Sequence, residues 1–226
     1  MDNTLSAANV STMEAMGTRS AAAGVAETVL FHGGIATWRE LRSIQRRRRI
    51  LRAASDGTVI RASKGRYVLP TASAHFTTAQ SRTAVLSHLS AAVHHGWKVK
   101  TVPTDAWVTV RRTRRLRRGQ REGIVPHWAA LDPGDVKHGV TTPLRTVLDC
   151  ARVLPFDEAL AVADSALRAR AITRTELSDA ARHLRGPGAL AVRRVAARAD
   201  GRAANPLESV LRALCIEAGF VLTPQI

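Results

Sequence analysis

The sequence is poor in cysteine, in aromatic residues and in acidic charge, and each shortage narrows the range of possible functions. Two cysteines among 226 residues cannot form the disulfide framework of a secreted mini-domain. No stretch approaches the roughly 18 apolar residues of a membrane span, and residues 1–20 lack the hydrophobic core of a signal peptide. We therefore predict a cytoplasmic protein without a membrane partner, in which Cys150 and Cys215 are small buried hydrophobic residues.

The shortage of acidic residues leaves a net charge of +16. Only four of the 34 basic residues are lysine, a bias that GC-rich coding DNA also produces. The distribution of charge is more informative, because residues 37–70 and residues 98–121 each carry a net charge of +8 and the rest of the chain sums to zero. Two concentrated basic segments favour a nucleic-acid partner, since neutralised phosphates release counterions and supply affinity.

The first third of the chain has the pattern of three helices followed by a β-hairpin. A helix over residues 21–31 precedes two glycines, and Thr37 is a good N-cap for a second helix. A third helix follows closely, from about Gln45 to Ser55, and residues 58–69 alternate apolar and polar side chains around a Lys-Gly turn. This order is typical of a winged helix-turn-helix.

The third helix divides into two faces at 100° per residue. Ile50, Leu51 and Ala54 are expected to pack inward with Arg47 beside them, whereas the opposite arc is basic. Such a helix enters the major groove, where Arg can bind guanine with two hydrogen bonds. A solvated helix face is the alternative. The predicted DNA-binding residues are Gln45, Arg46, Arg48, Arg49, Arg52 and Ser55 of the helix and Arg61, Lys64 and Arg66 of the hairpin.

Three short strands of a small sheet are predicted, over residues 105–110, 124–128 and 139–142. A second basic segment lies between the first two of these strands. It is either a disordered loop that adds phosphate affinity or a surface for an acidic partner protein. Its members form a secondary basic surface of Arg111, Arg112, Arg114, Arg115, Arg117, Arg118 and Arg121.

The remaining segments are predicted to be helical, so the expected fold class is α+β and mostly helical, with a winged helix followed by a second α/β domain. Helices are expected over residues 84–95, 144–152, 156–169, 175–184, 190–199 and after Asn205. The last helix should pack through an apolar face of Leu207, Val210, Leu211, Leu214, Cys215 and Ala218.

His88, His94 and His95 have no carboxylate or cysteine at ligand spacing, so we predict neither a metal nor a cofactor nor catalytic residues.

Three stretches occur in a characteristic order: GGIATWRELRSIQRRRRILRAASDGTVIRASKGRYVLP, VLSHLSAAVHHGW, and GVTTPLRTVLDCAR with the following DEALAVADSALR. In this order they resemble a known family, the AbiEi-type antitoxins and regulators of type IV toxin-antitoxin systems. The resemblance implies a winged helix that binds the operator of its own operon and a second domain that antagonises a nucleotidyltransferase-like toxin. This chain departs from many relatives in having Ser43-Ile44-Gln45 where they have a glycine before the recognition helix.

A subset of similar proteins continues past NPLESVLRALCIEAGF into a very-short-patch-repair-like endonuclease domain, in which a helical Glu matching Glu208 helps to bind metal. The downstream catalytic residues of that pattern do not occur before Ile226, and Asn205 with Glu208 also forms a capping box. We therefore predict no enzyme activity. A nuclease remnant and a prophage repressor without a toxin partner are the alternatives.

The expected domain organisation is a loose tail, the winged helix, a linker, an AbiEi-like antitoxin or regulatory domain and the truncated start of an endonuclease-like domain. Their predicted ranges are 1–20, 21–70, 71–78, 79–200 and 201–226.

Overall fold

The computed structural model describes residues 24–220, and the predicted tail over residues 1–20 lies outside them. The predicted α+β class is confirmed, and about half of the described residues are helical. The chain divides into two compact units, one ending at Thr83 and the other beginning at Ala84. No helix within residues 24–220 is long and apolar enough to cross a membrane.

The first unit places its helices around a small antiparallel sheet of order β1-β3-β2. Its core joins Val25 and Val29 of the first helix to Leu41, Ile50 and other fully buried side chains. Its elements, in chain order, are α1 (24–31 of the described residues), β1 (Ile35–Thr37), α2 (Trp38–Ile44), α3 (Arg47–Ser55), β2 (Ile60–Ser63), β3 (Arg66–Val68) and α4 (Ala74–Ser81).

The predicted linker over residues 71–78 is wrong, because most of it lies in α4. Ser73 caps this helix by accepting a hydrogen bond from the Phe76 amide at 3.2 Å, and Phe76 and Ala79 are buried. The polar composition of this segment concealed a helix whose few apolar residues pack against β2 and β3. The boundary between the two compact units therefore falls later, after Thr83.

The second unit contains a five-stranded mixed sheet of order β6-β5-β4-β8-β7, in which β5 and β6 run parallel. The three predicted strands are present, but the predicted helix over residues 84–95 begins with a strand and becomes helical only at His88. The elements are β4 (Val85–Leu86), α5 (His88–His94), β5 (Ala106–Val110), β6 (Ile124–Trp128), β7 (Val136–Lys137), β8 (Val140–Thr141), α6 (Pro143–Val153), α7 (Phe156–Arg168), α8 (Arg174–His183), α9 (Ala189–Arg198) and α10 (Pro206–Glu217).

Helix α10 packs through a different face from the predicted one. Its buried residues include Arg212 and Ala213, whereas Leu207, Leu211 and Leu214 are 78%, 60% and 53% exposed. The reason is an ion pair: the Arg212 guanidinium binds the buried carboxylate of Asp164 on α7 and donates to the Arg198 carbonyl at 2.6 Å. A polar anchor thus decides the orientation of the helix.

The segment predicted as the start of a separate domain, residues 201–226, belongs to the second unit as far as it is described. Cys150 is fully buried, as predicted, but Cys215 on α10 is only half-buried. The unexpected orientation of α10 accounts for that difference.

Candidate nucleic-acid interface

Helix α2 is fixed at its start by a reciprocal capping box. The Thr37 amide donates to the Glu40 carboxylate at 2.6 Å, and the Glu40 amide donates to the Thr37 hydroxyl at 3.2 Å. These bonds satisfy two donors that the helix leaves unpaired, and they lower the pKa of Glu40. The Trp38 amide also donates to the Gly65 carbonyl at 2.7 Å, which ties α2 to the turn of the hairpin.

The turn between α2 and α3 is held by Gln45 rather than by a glycine. The Gln45 backbone is extended, with φ −113°, and its side-chain amide donates to the Gly24 carbonyl at 2.9 Å and to the Thr28 hydroxyl at 3.0 Å. Both acceptors lie on α1. The prediction of Gln45 as a DNA-contacting residue of the third helix is therefore wrong: it lies before α3 and its amide donors are directed inward.

Helix α3 buries Ile50 and Ala53 and exposes its arginines. Leu51, expected to pack inward, is 46% exposed, and Arg47 is exposed as well. The buried face of α3 is centred on Ile50 and Ala53. The edge of the helix that carries Arg47 and Leu51 therefore faces outward. Exposed residues of the predicted set are Arg46 at the N-cap and Arg48, Arg49, Arg52 and Ser55 within the helix.

The Arg47–Leu51 edge faces the hairpin across a groove of about 570 Å³. Four cationic side chains line it, two from the helices and two from the hairpin: Arg42, Arg47, Arg61 and Lys64. The apolar part of the lining is formed by Leu51, Trp38 and Tyr67, with the two aromatic ring centroids 6.2 Å apart. Arg42 and Arg47 were absent from the predicted site, and only the tertiary arrangement brings them there.

Arg66 has a structural partner instead of a place in this groove. Its guanidinium donates to the side-chain oxygen of Gln80 at 2.6 Å, and Gln80 on α4 is fully buried. This charged donor is bound to a buried amide and holds α4 against the hairpin, and a contact of Arg66 with DNA stays a prediction. Sequence patterns did not indicate this contact, because helix α4, which carries Gln80, was not predicted.

The second basic segment connects the parallel strands β5 and β6 as a crossover of residues 111–123. It is ordered by short turns, such as the bond from the Arg114 amide to the Arg111 carbonyl at 2.9 Å. Leu116 anchors it and is only 7% exposed. The disordered-loop interpretation is therefore wrong, and the structure instead displays most of the seven arginines at the surface.

The motifs around His88 and Arg145 meet in a polar cluster of the second unit. The rings of His88 and His127 are stacked, with their centroids 3.9 Å apart, and burial lowers the pKa of His88 to about 2. Arg145 donates to Asp149 at 2.9 Å and to Asp135 at 2.8 Å, next to the start of α6. Within residues 24–220, no group of three His, Cys, Asp or Glu side chains is arranged to hold a metal ion.

No family model matches the chain. Two Mycobacterium tuberculosis proteins, uncharacterized protein MT2308 and uncharacterized protein Rv2248, are each 39% identical to it over 83 residues, or 36% of this chain. The match spans 31% of each relative, so the chain corresponds to about a third of their length.

A crystal structure of the RV2827C protein from Mycobacterium tuberculosis is also similar, with 13% identity and a TM-score of 0.38. The similarity covers 91% of this chain and 81% of that one.

Proposed function

We propose that the first unit binds double-stranded DNA as a winged helix and that the protein is a transcriptional regulator. The order α1-β1-α2-α3-β2-β3 is the order of that motif. The observation that carries the proposal is the groove between α3 and the hairpin, where Arg42, Arg47, Arg61 and Lys64 converge beside the exposed arginines of α3.

The groove and the outer face of α3 suit two different tasks. Cations that converge from two elements can bind a phosphate backbone, and such contacts set position and affinity without reading sequence. Arg48 and Arg52 are exposed, lie one turn apart and are separate from the groove lining. Side chains in that position reach base edges in the major groove, where Arg binds guanine O6 and N7. We assign selectivity to them.

The test is a competition gel shift between duplex DNA from upstream of the gene and random duplex of equal length. The wild-type protein should prefer the upstream fragment, and Arg48→Ala with Arg52→Ala should remove that preference. Arg185→Ala with Arg198→Ala removes the same charge from exposed positions of the second unit and should leave the preference intact. Equal binding of upstream and random duplex by the wild-type protein would overturn the proposal.

We further propose that the second unit acts as an antitoxin, with a nucleotidyltransferase-like toxin as its partner. The support is the sequence resemblance over residues 33–168. A toxin of that class encoded next to this gene should co-purify with the protein and lose its activity in the complex. A neighbouring integrase or immunity gene, with no such toxin bound, would leave a plain repressor as the better description.

A further inference from the structure

We propose that the second unit carries a separate site for single-stranded nucleic acid, formed by the arginine loop and the indole of Trp128. The arginine loop is residues 111–121, between β5 and β6. Trp128 is the last residue of β6 and is 40% exposed. This site shares no residue with the duplex interface proposed for the first unit and does not depend on it.

The indole is held in place as a platform. Its Nε1 donates to the Arg114 carbonyl at 2.9 Å, which joins the end of β6 to the arginine loop. The Arg121 guanidinium lies 5.6 Å from the ring centroid, within the range of a cation–π contact. An exposed tryptophan whose edge is already bonded presents its ring without the entropic cost of fixing it on binding.

The arginines around the platform are displayed from an ordered backbone. Leu116 is buried beneath the loop, and a 3-10 turn over Arg118–Gln120 is closed by the bond from the Arg117 amide to the Gln120 side chain at 3.0 Å. Within residues 111–122 the sequence has seven arginines and a single carboxylate, Glu122. The local field therefore attracts a polyanion.

The platform decides which polyanion fits. The bases of a duplex stack on one another, so their faces are not available to an indole, whereas unpaired bases stack on aromatic side chains regardless of sequence. An acidic peptide would use the arginines but gains nothing specific from the ring face. Cations and a fixed, exposed indole at one surface are the combination that binds single-stranded DNA or RNA.

The test compares two substitutions at one position in the full chain, Trp128→Phe and Trp128→Leu. Both remove the bond from Nε1 to the Arg114 carbonyl, but only Phe keeps a ring on which a base can stack. Fluorescence anisotropy with labelled oligothymidylate and oligouridylate should show wild-type binding and near-wild-type binding by the Phe variant. The Leu variant should bind about tenfold more weakly, within the range for loss of one stacked base.

The two oligonucleotides show whether DNA or RNA is preferred. The double variant Arg48→Ala with Arg52→Ala changes only the proposed duplex interface, so it tests whether the single-strand site is separate from it. That double variant should bind both single strands as the wild type does. Equal affinity of the Phe and Leu variants would overturn the proposal. Polyglutamate that competes as effectively as unlabelled oligothymidylate would also overturn it. Either result would mean that charge alone, without base stacking, determines binding at this surface.

Discussion

Neutralising the hairpin side of the groove should change the salt dependence of duplex binding by a calculable amount. Each phosphate neutralised contributes about 0.9 to the slope of log affinity against log salt. The four groove cations therefore account for a slope of about 3.6, or about 150-fold weaker binding between roughly 50 and 200 mM salt. Arg61→Gln with Lys64→Gln should lower the slope by about 1.8 and reduce this part of the salt effect to about 12-fold.

Isothermal titration or anisotropy at four salt concentrations would measure that slope, with random duplex as ligand. The matched control is Lys137→Gln with Arg198→Gln, two exposed cations of the second unit outside the arginine loop. The control should lower the slope by much less than the hairpin variant. Equal changes in the two variants would refute the reasoning, because net charge and not convergence in the groove would then set the affinity.

Three further outcomes are expected. Arg212→Met should lower the free energy of unfolding in urea by about 3–5 kcal/mol, because it leaves the Asp164 carboxylate buried and unpaired; Asp164→Asn added to it should recover part of the loss. The stability of the second unit should fall as pH drops from about 6.5 towards about 2, since His88 of the unfolded chain binds a proton that the buried His88 of the folded chain does not. Unfolding followed by circular dichroism should show a smaller loss of stability with falling pH in His88→Asn. The same pH dependence in both proteins would contradict this. Glu208→Gln should cost about 1 kcal/mol or less in thermal unfolding, since its carboxylate accepts a hydrogen bond from the Ala204 amide at 2.7 Å. Mg²⁺-dependent DNA cleavage that Glu208→Ala abolishes would instead favour the nuclease alternative.

Local patterns in the sequence predicted the elements whose signals are local. Thr37 was predicted as the N-cap of the second helix, and the structure places it at that position of α2. The predicted helix over residues 144–152 lies within α6, and the alternation over residues 105–110 marks β5. In each case, the residues that determine the element lie within a few positions of it, so no tertiary information is needed.

Sequence patterns did not indicate the contacts of side chains whose partners are distant in sequence. Gln45 binds α1, 17 and 21 residues earlier, and Arg66 binds Gln80, 14 residues later. Both are polar residues in a basic segment, and reasoning from local sequence patterns assigns such residues outward by default. The same default placed the leucines of α10 inward, although a buried ion pair 48 residues apart orients that helix.

The corrected positions change how the charge of the chain should be understood. The basic segment of the first unit forms a groove with cations from its helices and from its hairpin, whereas that of the second unit is a surface loop beside one aromatic ring. Concavity suits a continuous phosphate backbone, and the loop suits a flexible strand that can turn its bases. Neutralising Arg114, Arg115, Arg117 and Arg118 should therefore weaken the binding of single strands and flatten its salt dependence, while the preference between duplex sequences stays unchanged, because that selectivity resides on the outer face of α3.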